Sequence, residues 1–300
     1  MRFRQVFLAF FTAATLCAVP AHAQALMQWP DLLDRPRPHP TAHIPYGTEP
    51  NQAGDLWLPE GHGPFPVVLM VHGGCWTARI AHLDIMNYIA EDLRQHGVAV
   101  WNVEYRMVDD PGGGYPGTFL DVAHAADKMR EIAPAHHLRL NRVVAFGHSA
   151  GGHLALWLAA RSRLPRASPL YMPDPLPISA VISSGGLPDL EADKAAGDDA
   201  ACGPRVIDRL VGTPSAAHPH VYADTSVADL LPFSARQEIV NGDSDGTAPP
   251  WLGQAYFRKA RAAHANAAIT ILANTGHVEL IAPDTPAWAQ ERALILGLLR

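Results

Sequence analysis

Short apolar runs alternate along this chain with longer stretches in which apolar positions recur every three or four residues. The first kind reads as buried strand, the second as helix covering it. Runs at 65–71 (FPVVLMV), 98–103 (VAVWNV) and 142–146 (RVVAF) predict central strands, and 55–58 predicts an edge strand. Three more strands are expected at 178–183, 238–241 and 269–273, with helical periods at 83–96, 120–132, 150–161 and 286–299. Alternation of this kind predicts an α/β fold, a mostly parallel central sheet with helices on both faces.

Two segments break the alternation. Pro36, Pro38, Pro40 and Pro45 crowd the stretch 24–50, which predicts an extended arm running over the surface. Residues 187–231 are rich in Pro, Ala and Asp and show no clear strand. A connection this long between two core strands predicts a helical or irregular cap insertion over the site. The expected organisation is an arm at 24–50 followed by one domain at 51–300 that carries the insertion.

The first 23 residues read as an export signal. Arg2 and Arg4 precede an apolar run at 6–16, and Ala21-His22-Ala23 forms a small-x-small cleavage site. The run is too short for a membrane span, which takes about 20 residues. Bulky Leu16 before Cys17 argues against lipidation. The chain is therefore expected to be exported and cleaved near Ala23, with no stable membrane span.

Composition sharpens this only in part. A chain of 300 residues that is 48% apolar can bury a full core. A net charge of −6 and the lack of any Lys/Arg run argue against a nucleic-acid partner. After cleavage Cys75 and Cys202 remain. In an oxidising compartment they could pair, but two thiols far apart in sequence do not make a disulfide framework, and two independent, half-buried thiols are the preferred reading.

The strongest chemical signal is Gly147-His148-Ser149-Ala150-Gly151, which fits G-x-S-x-G between a predicted strand and a predicted helix. A serine on such a turn is lifted clear of the sheet, and the helix N-terminus favours developing negative charge. Upstream, His72-Gly73-Gly74-Cys75-Trp76 follows a strand directly. Its glycines let backbone N–H groups turn toward an oxyanion, so Gly74 and Cys75, with Ala150, are the expected donors. His72 is expected to brace the loop.

The acid and the base should follow in the order Asp, then His. The loop after the strand at 238–241 carries two aspartates. Asp245 lies deeper and is the preferred acid, with Asp243 bracing the turn. Position alone selects His277, just after the last strand, from 16 histidines. His148 and His153 are tied to the nucleophile turn. His136-His137 and His218-x-His220 lack metal-ligand spacing and read as surface residues.

These motifs, in this order, resemble the esterase/lipase branch of the α/β-hydrolases that carries an H-G-G-x-W loop. Within it the chain looks most like bacterial relatives of kynurenine formamidase and feruloyl esterases. The likeness is carried by HGGCW from His72, EYR at Glu104 to Arg106, GGGYPG from Gly112 and GHSAGGHLALWLA from Gly147, and it spans about 50–300. It implies a Ser149/Asp245/His277 triad acting on a small acyl ester or amide, with no metal or organic cofactor. Cys75 replaces the third glycine common in the branch, and Asn241 replaces a histidine often found in the acid loop; neither change removes a catalytic group. A small-ester carboxylesterase is the expected activity. An arylformamidase-like amide hydrolase and a non-catalytic binding module on the same scaffold are the alternatives.

Overall fold

The computed structural model describes residues 25–197, 202–216 and 218–300, so the expected export signal lies outside the described residues. Eight strands form one sheet in the order β1-β2-β4-β3-β5-β6-β7-β8. They are β1 (Ala42–Pro45), β2 (Ala53–Trp57), β3 (Phe65–Val71), β4 (Ala99–Val103), β5 (Leu138–His148), β6 (Ala180–Ser184), β7 (Arg236–Gly242) and β8 (Ala267–Leu272). All pairs from β4 through β8 are parallel, while β2 pairs antiparallel with both β1 and β4. This is the doubly covered sheet the apolar runs predict. Central strands buried on both faces need no polar alternation.

Successive residues of β3 enter opposite cores. Val67, Leu69 and Val71 pack with residues of α3 (Gly117–His136), α4 (Ala150–Ala160) and α7 (Pro250–Ala262). Val68 and Met70 pack with α2 (Asn87–Gln95) and α8 (Pro286–Leu298). The period of two along a strand makes this division, and it holds both helix layers against one sheet.

Three expectations are corrected. The edge of the sheet is β1, not the strand near 55–58, because β2 lies between β1 and β4. The Pro-rich arm is not simply extended over the surface: it contributes β1 and a short helix, α1 (Trp29–Leu33), whose Leu32 is fully buried. Proline at the second position of α1 suits a helix start, where its missing N–H costs nothing. Cys75 and Cys202 are not independent thiols; they form a disulfide, their Cα atoms 5.2 Å apart. The insertion at 187–231 contains α5 (Leu190–Ala195) and α6 (Pro204–Val211), and their packing brings the second cysteine to the first. Among the described residues no helix is long and apolar enough to cross a membrane.

Candidate active site

Register places the chemistry. Parallel pairing sets Val71 beside Gly147, so the loops leaving β3 and β5 emerge side by side. Gly242 pairs with Leu272, which brings the loops after β7 and β8 together in the same way. All four leave the carboxyl ends of the strands, where open α/β sheets form their sites.

Ser149 stands between the end of β5 and the first residue of α4 with φ 55° and ψ −123°. A non-glycine residue in this region is strained, and the strain holds the hydroxyl above the sheet. The Ser149 N–H donates to the Ser184 carbonyl at 2.8 Å, which fixes the turn against β6. Gly151 is required by contact: a Cβ there would lie 2.1 Å from the Val71 carbonyl oxygen. Any side chain would push α4 away from β3 and shift Ser149.

His277 Nδ1 and Asp245 Oδ2 are 2.7 Å apart, both residues buried. The other carboxylate oxygen, Oδ1, accepts the N–H groups of Thr247 and Ala248 at 2.8 Å each. The carboxylate is thus held by its own loop while it holds Nδ1 of the imidazole, which leaves Nε2 as the ring nitrogen not engaged by Asp245. Asp243 is exposed and accepts from the Thr275 N–H at 3.3 Å, bracing the two loops from outside. Gly185, at φ 54°, leaves room for the pair: a Cβ there would sit 3.2 Å from both Asp245 Oδ2 and His277 Cε1.

The glycine loop after β3 bends through three successive left-handed residues, Gly74, Cys75 and Trp76, with φ of 105°, 52° and 50°. Each of the last two costs about 1–2 kcal/mol that surrounding contacts must supply. The Cys75 carbonyl accepts from the Thr77 hydroxyl at 2.8 Å, the Trp76 carbonyl accepts from the Val108 N–H at 2.8 Å, and the disulfide fixes the Cys75 side chain. Gly74, Cys75, Ser149 and His277 line one cavity of about 290 Å³.

His72 braces this loop through Glu104, a residue with no role among the sequence-based expectations. Its Nε2 donates to Glu104 Oε1 at 2.7 Å, while Glu104 Oε2 faces His82 Nδ1 at 3.0 Å and accepts the Leu83 N–H at 3.1 Å. Burial alone would raise the Glu104 carboxyl, but His72 and His82 outweigh it and hold it well below the usual range. The signal was visible in hindsight: a lone acid at the end of a buried apolar strand.

Three further histidines are structural. His148 is fully buried, its Nε2 donating to the His277 carbonyl at 3.1 Å and its ring centroid 4.3 Å from that of His277. Burial, then the nearness of His277, pushes it well below its ordinary value and keeps it neutral. Burial pushes His153 down to about 4, and its Nε2 donates to the Thr225 carbonyl at 2.8 Å. His218 is not a free surface residue. It pairs with Asp224 at 2.8 Å and stacks on Tyr115.

The wall of the cavity is the main surprise. Besides the loop residues it is lined by Trp29 and Leu33 from α1, and by Ile80, Ala81 and Ile85; no described residue of the 187–231 insertion is in its lining. The arm is clamped there by Glu279, whose Oε1 accepts the Met27 N–H at 2.5 Å and whose Oε2 accepts the Gly276 N–H at 3.1 Å. One carboxylate thus joins the arm to the histidine loop. The cue in the sequence is an apolar pair at helical spacing, Trp29 and Leu33, set among prolines.

Known structures share this architecture. The chain is similar to a truncated carbohydrate esterase from gut microbiota, at 18% identity and a TM-score of 0.69, over 86% of this chain and 95% of that one. It is similar to an inhibited esterase B from Lactobacillus rhamnosis, at 18% identity and a TM-score of 0.73, over 88% of each chain. A bacterial heroin esterase matches at 21% identity and a TM-score of 0.64, over 86% of this chain and 82% of that one. Likeness at this identity establishes the α/β-hydrolase fold. No curated protein matches the sequence. The family model BD-FAE matches residues 55–271, a span that begins in β2, ends in β8 and includes the Ser149 turn and the Asp245 loop, and the chain belongs to that family.

Proposed function

We propose that this protein is an exported serine carboxylesterase that cleaves small esters through an acyl-enzyme on Ser149. The observation that carries the reading is the hydrogen bond from His277 Nδ1 to Asp245 in the cavity that Ser149 lines. With Nδ1 committed to the carboxylate, Nε2 is the tautomer's free base. It takes the Ser149 proton as Oγ attacks the ester carbonyl, and Asp245 stabilises the imidazolium that results.

The carbonyl oxygen becomes an oxyanion held by the N–H groups of Gly74, Cys75 and Ala150, each such donor contributing about 3–4 kcal/mol. Collapse breaks the ester C–O bond, and the leaving alkoxide takes the proton from Nε2. Water then adds to the acyl-enzyme by the same base, releasing the acid and restoring Ser149. The disulfide supports export, since such bonds persist in oxidising compartments.

Comparing turnover of p-nitrophenyl acetate with that of N-formylkynurenine tests the reading. Ester hydrolysis in clear excess is expected. Turnover of the amide alone would replace the esterase assignment with an arylformamidase-like one.

A further inference from the structure

We infer that the N-terminal arm is the leaving-group wall of this site, and that Trp29 selects esters of aromatic alcohols. The inference rests on the esterase reading above and names the substrate class of that same site.

The first observation is where Trp29 sits. Its ring meets His277 edge-on, centroids 6.3 Å apart at 78°, and meets His148 in the same way at 6.4 Å and 73°. His277 returns its proton to the departing oxygen, so the departing alcohol must lie beside that ring. Trp29 is the aromatic side chain of the arm that reaches the same place.

The second observation is exposure. Trp29 is 37% exposed, Leu26 36% and Ile80 58%, and these are three of the five large apolar side chains that stand open to solvent among the described residues. Trp29 and Ile80 line the cavity, and Leu26 Cδ1 would lie 3.6 Å from a Cβ placed on Gly276, next to His277. Apolar side chains gathered at the mouth of a cavity mark a binding surface. An apolar space of about 150 Å³ accepts benzene, so 290 Å³ has room for one ring and a short acyl group. An aromatic leaving group gains from a flat partner beyond its area alone, which an aliphatic one does not.

The arm is built to hold this position. Arg35 forks onto Asp284 at 2.7 and 3.3 Å, Leu32 of α1 is fully buried, and Glu279 secures Met27. Trp29 is therefore fixed by both ends of its segment rather than hanging from a loose tail.

The test measures kcat/KM for phenyl acetate, methyl acetate and methyl butyrate in the parent, Trp29→Ala and Trp29→Phe. Trp29→Ala is expected to lower phenyl acetate about tenfold more than methyl acetate, with Trp29→Phe restoring most of the difference. The butyrate-to-acetate ratio for the methyl esters should stay within about twofold. If Trp29→Ala does not fold, Trp29→Leu keeps the apolar cover without the flat ring and carries the same comparison. Equal falls for phenyl and methyl acetate, or a shift in the acyl ratio instead, would overturn the inference while leaving the esterase reading intact. A folded parent that hydrolyses none of the three esters would sink the reading and the inference with it.

Discussion

Cys75 and Cys202 are joined, and the bond ties the glycine loop after β3 to the insertion at 187–231. No described residue of the insertion lines the cavity, yet the insertion reaches a cavity-lining residue, Cys75, through this link. The bond closes 127 residues of chain. Loops of that size are stabilised by about 2–5 kcal/mol when closed.

Cys202→Ser is therefore expected to lower the unfolding free energy by a few kcal/mol and to reduce kcat more than KM, because the Cys75 N–H loses its anchor while the cavity walls remain. Denaturant unfolding and steady-state kinetics on p-nitrophenyl acetate check both. A variant equal to the parent in stability and kcat would show that the bond positions nothing.

The two aspartates of the acid loop should behave very differently. Asp245→Asn is expected to drop kcat by about 10⁴-fold, from the loss of the carboxylate that sets the His277 tautomer. Asp243→Asn should change it by less than about threefold, since Asp243 touches the loop only from its exposed side. The reverse ranking would show that the acid is misassigned.

Glu291 supplies a pH dependence of stability. It is buried in α8 with Oε1 accepting from the Ser184 hydroxyl at 3.0 Å, and burial pushes its carboxyl up to about 8 from an ordinary 4.5. The folded state binds this proton more tightly than the unfolded state does. Its stabilising effect is thus complete below about pH 4.5 and is lost as pH rises toward 8. Glu291→Gln should remove that loss, up to about 1.4 kcal/mol per pH unit across the window. Unfolding curves at several pH values between 5 and 9 measure it, and parallel pH profiles for variant and parent would contradict it.

Glu104→Gln removes the charge that His72 and His82 share. The oxyanion loop should lose alignment, with kcat falling about 10-fold or more and KM changing less. Because the Glu104 carboxyl is held low in the fold, its contribution to stability is present above its ordinary value and disappears as pH falls. The variant's disadvantage should therefore shrink in acid, which thermal unfolding near pH 3 against pH 7 would reveal.

Much of this was legible in the chain because burial writes itself into apolar runs. FPVVLMV and RVVAF mark β3 and the core of β5, and the motifs at their ends fix Gly74, Cys75 and Ser149 on neighbouring loops. His277 was legible by order alone. Other features depend on packing across long separations. Cys202 meets Cys75 only through the folding of the insertion, which has no periodic signal of its own. Trp29 was hidden among prolines that mark a turn-rich arm, yet α1 docks by one buried leucine and a backbone hydrogen bond to Glu279. β1 was missed because its four residues alternate only between half-buried and exposed, the pattern of an edge.

Every proposed step of catalysis depends on Ser149 as the nucleophile. Intact-mass measurement after incubation with a fluorophosphonate tests it, followed by peptide mapping. One adduct per chain on Ser149, with loss of esterase activity in proportion and no adduct in Ser149→Ala, is the predicted result. A folded parent that takes no label, or takes it elsewhere while activity is lost, would contradict the claim.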